Sequence, residues 1–257
     1  MSKKWLKVAL MVTAIATGTS IQVDAETVLY VPQDDRPVSL QYTVDTAKAA
    51  GMTVLTPPQN LISGKTYKGQ ADQIWNWVEQ NAGRADVMVL STDTLIYGGL
   101  VDSRKHNLPL STLENRLKRI EALKANHKNT RIYGFGTVMR SPRASGGGTE
   151  PSYYADYGPT IFQIAALQDK LDAGTLTQAE TQKLMSLQAS VPVEYLQDWF
   201  SRRQKNMQVN KDLIDEARNG VFSYFALGHD DTSQLSQSAL EGRYLNQYSK
   251  GIPRTQY

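Results

Sequence analysis

Asp230 and Asp231 stand side by side in the run Leu227-Gly228-His229-Asp230-Asp231, directly after a β-rich segment. Adjacent acids on a loop can both reach one pocket. Their mutual repulsion raises one pKa and leaves an acid beside an ionised partner. Such a pair suits glycosidic cleavage, in which one carboxyl protonates the leaving oxygen while the other orients or stabilises. Asp93, also just past an apolar run, is the third catalytic candidate. Around these stand Asp34, Asp35 and Arg36 after the first β-rich run, Tyr97 and Arg104 beyond Asp93, Arg140 after the fourth, and His229 before the acidic pair. These seven are the substrate-binding candidates. Each has a structural alternative: Asp34 and Asp35 can cap a helix and neutralise Arg36, and the arginines can pair with the carboxylates. The His and Asp side chains could also ligate a divalent ion. No spaced His motif supports that reading, since His106 and His127 flank helical patterns. No metal ligand is assigned and no cofactor is expected; metal-dependent hydrolysis stays open as an alternative chemistry.

What must position these residues is an alternation of strands and helices from residue 27 onward. Thr27–Val31, Met52–Leu55, Asp86–Leu90, Arg131–Phe135 and Val221–Leu227 read as strands. Asp86-Val87-Met88-Val89-Leu90 is nearly all apolar, as in a parallel strand buried on both faces. Between the strands, Tyr42–Ala50 ends at Gly51, and Ala71–Gln80 carries Ile74, Trp75 and Val78 on one side. Leu113, Leu117, Ile120 and Leu123 form one apolar stripe at helical spacing. Ser111 with Glu114, and Thr177 with Glu180, have the spacing of capping boxes. Strands joined by helical crossovers give an α/β fold with a parallel sheet. A partial (β/α) barrel is the expected form, with an open doubly wound sheet as the alternative. In either, ligands bind beyond the carboxyl ends of the strands, and four of the five strands deliver charged residues there.

A helical insertion at about 141–219 interrupts the rhythm. It opens with a Gly/Ser/Pro-rich loop and includes Tyr153, Tyr154 and Tyr157, which could stack on sugar rings or simply pack. Gly64-Lys65-Thr66 lacks the upstream glycine of a phosphate loop, where Gln59 stands instead.

Residues 1–25 read as a cleavable signal peptide. Lys3, Lys4 and Lys7 precede an apolar stretch, Val8 to Ile21, and Val23-Asp24-Ala25 offers a cleavage site. The stretch is shorter than the ~20 residues a span requires, so the mature form is expected to lack a transmembrane segment. Export places the protein in the periplasm or outside the cell. The chain of 257 residues carries 28 basic and 25 acidic side chains. Without the signal the excess shrinks to a single charge, which argues against a nucleic-acid partner. There is no cysteine, hence neither disulfide nor thiolate chemistry.

Three motifs resemble a known family. Val28-Leu29-Tyr30-Val31-Pro32-Gln33-Asp34-Asp35-Arg36-Pro37-Val38 is similar to the opening of the bacterial family catalogued as domain of unknown function 4127. Leu90-Ser91-Thr92-Asp93-Thr94-Leu95-Ile96-Tyr97-Gly98-Gly99-Leu100-Val101, with Ser103-Arg104, resembles its second signature. Leu227-Gly228-His229-Asp230-Asp231 resembles its third, which more usually has Gln before the acidic pair. The resemblance brings no assigned chemistry. It implies members longer than this chain, so residues 26–257 are expected to form a C-terminally truncated α/β domain.

The expected function is an exported hydrolase of glycosidase type, acting on a carbohydrate or cell-wall saccharide by Asp acid–base chemistry. The rival expectation is a non-catalytic envelope protein binding a sugar or anionic ligand through the same Asp/Arg face.

Overall fold

The computed structural model describes residues 25–144, 147–230 and 233–257. The signal-peptide reading of the N-terminus therefore lies almost wholly outside the described residues, and so does Asp231. The strands are β1 (Thr27–Val31), β2 (Thr53–Leu55), β3 (Val87–Ser91), β4 (Arg131–Val138) and β5 (Tyr224–His229). The helices are α1 (Gln41–Ala49), α2 (Ala71–Asn81), α3 (Thr92–Tyr97), α4 (Leu100–Lys105), α5 (Leu110–Asn126), α6 (Tyr154–Asp172), α7 (Gln178–Ser190), α8 (Val193–Arg218) and α9 (Gln237–Tyr248).

All five strands run parallel, in the order β2-β1-β3-β4-β5. This is an α/β fold with an open sheet. The barrel expectation does not hold: a barrel sets each strand beside the one before it, whereas here β3 pairs with β1 rather than with β2. Strand count and helical crossovers are common to both topologies, so the alternation in the sequence could not separate them. The chain reverses direction across the sheet between β1 and β3. That reversal opens a crevice beyond the strands' carboxyl ends, where ligands bind in such folds.

Side chains alternate across the pleat. Leu29, Val31, Met88, Leu90, Ile132 and Phe225 point to one face, where they pack under α2, α5 and α8 in the main core. Trp75 of α2 donates its indole N–H to the Leu95 carbonyl at 2.8 Å, which fixes α3 over that core. The apolar stripe of α5 is buried as its spacing requires. Its N-terminus differs from expectation: Pro109 is the N-cap and makes no side-chain bond, so Ser111 lies inside the helix and no capping box forms there. Proline's fixed φ starts the helix earlier than the serine would. The Thr177/Glu180 box does form at α7.

Between β4 and β5 lie α6, α7 and α8. Their residues Tyr154, Ile161, Ile164, Leu184 and Trp199 form a second core with Met139. Helix α8 belongs to both cores, since its later residues Val209, Leu213 and Ala217 lie in the main one. It is therefore also the crossover that leads from this segment to β5. Among the described residues no helix is long and apolar enough to cross a membrane.

Candidate functional site

The site is built at the carboxyl ends of β1, β3, β4 and β5. Strand β3 runs directly into α3 at Ser91, whose side chain accepts the Thr94 amide at 3.3 Å. This tight junction places Asp93 in the first turn of α3, only 2% exposed. The Gln33 amide, just past β1, donates to Asp93 Oδ2 at 2.8 Å, and the Thr137 hydroxyl on β4 donates to the same oxygen at 2.9 Å. The Thr94 hydroxyl holds the β1 end in place through the Pro32 carbonyl at 2.6 Å. Burial raises the Asp93 pKa to about 6 despite those two hydrogen bonds; the Arg104 charge lowers it and the Asp230 charge raises it. Asp93 is therefore a buried acid that titrates within reach of neutral pH.

Asp230, one residue past β5, is in the opposite situation. It forms an ion pair with the buried Arg104 guanidinium. Arg104 also faces Glu150 at 3.7 Å. Glu150 in turn pairs with Arg140, whose Nη2 also donates to the Thr149 hydroxyl at 2.7 Å. Two arginines and two carboxylates thus form one chain of contacts, with Asp93 within the field of Arg104 and Asp230. Burial lowers the Arg104 pKa, opposed by Asp230 and Glu150, and its Nε has no hydrogen-bond partner among the described residues.

Of the sequence candidates, Asp93, Asp230, Arg104 and Arg140 come together. Asp34, Asp35 and Arg36 are engaged locally: Arg36 Nε donates to Asp34 at 2.7 Å, and the Tyr67 hydroxyl bonds Asp35. Neither aspartate caps α1, whose N-cap is Leu40. Tyr97 is buried and stacked on His106, with ring centroids 5.0 Å apart, and its hydroxyl has no hydrogen-bond partner among the described residues. His229 ends β5 packed over Gly242, where a Cβ would collide with the imidazole. Tyr154 is core, its hydroxyl donating to the Pro142 carbonyl, while Tyr153 stacks on Tyr195 at 4.7 Å.

Four polar residues of the site were not among the candidates. Gln33 lay inside a quoted motif but was passed over for the charged residues beside it. Thr137 sits on the two-residue-period part of β4 that extends past Phe135. Thr149 and Glu150 follow a glycine run read as flexible loop. Only a contact could reveal them. Among the described residues, no group of three or more His, Asp or Glu side chains is placed to hold a metal ion.

A family model described as a protein of unknown function (DUF4127) matches residues 28–256. The chain belongs to the DUF4127 family. The match spans every strand and so every residue of this site, which makes the Gln33–Asp93–Arg104–Asp230 arrangement a feature to look for in other DUF4127 proteins. No curated protein and no solved structure matches the chain.

Proposed function

We propose that this DUF4127 protein is an exported hydrolase of glycosidase type, acting on a carbohydrate or cell-wall saccharide by carboxyl acid–base chemistry. The observation that carries the reading is the split between two carboxyls. Asp93 has its pKa raised to about 6 by burial, while Asp230 is ion-paired with Arg104. A buried acid beside an ion-paired one offers a proton donor and an electrostatic stabiliser. The donor role thereby passes from the Asp230–Asp231 pair to Asp93. Protonated Asp93 gives its proton to the glycosidic oxygen as the C–O bond breaks. Asp230 stabilises the positive charge developing at the anomeric carbon. Water then adds there, and its proton returns to the Asp93 carboxylate, restoring the acid. The N-terminal charged and apolar runs support export.

The test is turnover of a panel of chromogenic glycosides and purified cell-wall saccharide by the full chain, with and without chelator. The expected result is hydrolysis that ignores chelator, falls as pH rises through 6, and drops by at least about a hundredfold in Asp93→Asn. Saccharide binding without turnover would replace the enzyme by the non-catalytic binder. Loss of turnover on chelation would replace it by the metal-dependent hydrolase.

A further inference from the structure

Asp93 meets its two hydrogen-bond donors on one oxygen. The Gln33 amide, from the loop after β1, and the Thr137 hydroxyl, on β4, both donate to Oδ2, at 2.8 and 2.9 Å. Among the described residues no donor meets Oδ1. The two arms come from the strands on either side of β3, and each is held by its own backbone. Thr137 is fixed in the β4–β5 ladder, where it stands opposite Gly228. Gln33 is fixed by residues that follow Asp93: its carbonyl accepts the Thr94 hydroxyl at 3.2 Å and the Leu100 amide at 3.3 Å. A carboxyl gripped from two sides in this way cannot exchange its oxygens without breaking both bonds.

We propose that Gln33 and Thr137 are positioning residues for the Asp93 acid: they reserve Oδ2 as an acceptor and so confine the transferable proton to Oδ1. The role rests on the hydrolase reading, in which Asp93 is the proton donor. An amide N–H can only donate, so the Oδ2 it meets is the carbonyl oxygen of the protonated acid. The proton then lies on Oδ1, the one oxygen left for a glycosidic oxygen to meet. When that proton passes to the leaving oxygen, negative charge forms on a carboxyl already accepting two bonds, and neither arm has to move. Bonds of this kind favour the charged form and oppose the effect of burial on this acid. The charged groups facing Asp93 are Arg104 of α4 and Asp230 beyond β5. Tyr97, one turn along α3, has its hydroxyl pKa raised by burial and is neutral. Gln33 and Thr137 are themselves uncharged, so replacing them alters the hydrogen bonds and leaves those charges in place.

Carbon-13 NMR of the full chain, labelled at the aspartate carboxyls, tests this, with the Asp93 signal identified by its loss in Asp93→Asn. The Asp93 titration midpoint should rise by about one pH unit in Gln33→Met and likewise in Thr137→Val, and return to the native value in Thr137→Ser. Thr137→Val is close to isosteric and keeps a β-branched residue on the strand, so the fold is expected to survive it even where Gln33→Met does not. An unmoved midpoint in Thr137→Val would overturn the assignment. So would a fall in Gln33→Met, which would mean that the amide oxygen takes the Asp93 proton. Turnover separates this role from the reading beneath it: the falling limb of the pH profile should move up with the midpoint while KM stays the same. Midpoints that rise in a chain without turnover would overturn the hydrolase and uphold the sorting of the two oxygens.

Discussion

The chemistry rests on a few side chains whose protonation is set by burial, and pH exposes them. Asp93 has a folded pKa of about 6 against an ordinary 3.8. The folded state therefore holds its proton more tightly, and the stability this confers is present in acid and lost as pH rises through 6. His106 acts in the opposite sense. Burial pushes it down to about 4 from 6.5, so stability is lost as pH falls from 6.5 to 4. Between pH 4 and 6 the two offset each other. In Asp93→Asn that offset is removed, and chemical denaturation should show stability falling more steeply on acidification through that window than in the native chain. Above pH 6 the variant should be more stable than the native chain, by at most about 3 kcal/mol. Identical pH profiles for the two proteins would mean that Asp93 is not the buried acid described. Sequence type and strand-end position were enough to find Asp93, Asp230, Arg104 and Arg140. They were not enough to assign the acid, because a carboxyl's pKa depends on what surrounds it, and Gln33, Thr137 and Glu150 arrive from other parts of the chain.

Two elements hold the site in shape. After β3 the chain turns sharply at Gly98, which ends α3 with φ of +110°. A Cβ there would meet the Gly69 carbonyl at 2.9 Å, while the Gly69 amide donates to Asp102 Oδ2 at 3.0 Å. Gly98→Ala should combine a left-handed strain with a backbone clash and cost about 2 kcal/mol or more, readable as a lower denaturation midpoint. Behind β4, Arg203 of α8 is buried. It pairs bidentately with Glu241 of α9 at 2.7 Å and donates to the Met139 and Arg140 carbonyls at 2.6 and 2.9 Å. Arg203→Ala should therefore cost about 3–5 kcal/mol, largely by stranding Glu241, and Lys should not rescue it because it lacks the planar fork. A midpoint shift below about 1 kcal/mol would make the clasp incidental. Most of the elements themselves were readable. Hydrophobic period gave α2, α5 and the strands to within a few residues. The short helices α3 and α4 were not, since six residues are too few to display a period.

For the molecule as a whole, the two sheet faces are unequal. Opposite the main core, Val28, Tyr30, Val54, Val87, Val89 and Tyr133 line a concavity of about 330 Å³. Helix α1, which flanks it, contributes no buried residue. An apolar sheet face of this kind should bind a hydrophobic dye such as anilinonaphthalene sulfonate in the folded state. Val89→Lys should reduce that fluorescence without lowering the denaturation midpoint by more than about 1 kcal/mol. Unchanged fluorescence in the variant would place the dye elsewhere. The unbroken apolar run of β3 pointed to burial on both faces. Composition reports what a strand can tolerate, and strand order across the sheet depends on long-range pairing that no local pattern encodes.

Helix α8 has 26 residues, about 39 Å of continuous backbone, and its two halves are rooted in different cores. Neither half can unravel without withdrawing support from the other. The two cores should therefore lose structure in a single cooperative step rather than as separate units. Amide hydrogen exchange would register this as matching opening free energies for Trp199 and Leu213, even though the two sit more than three turns apart. Faster exchange at Trp199 would mean that the helix breaks between the cores.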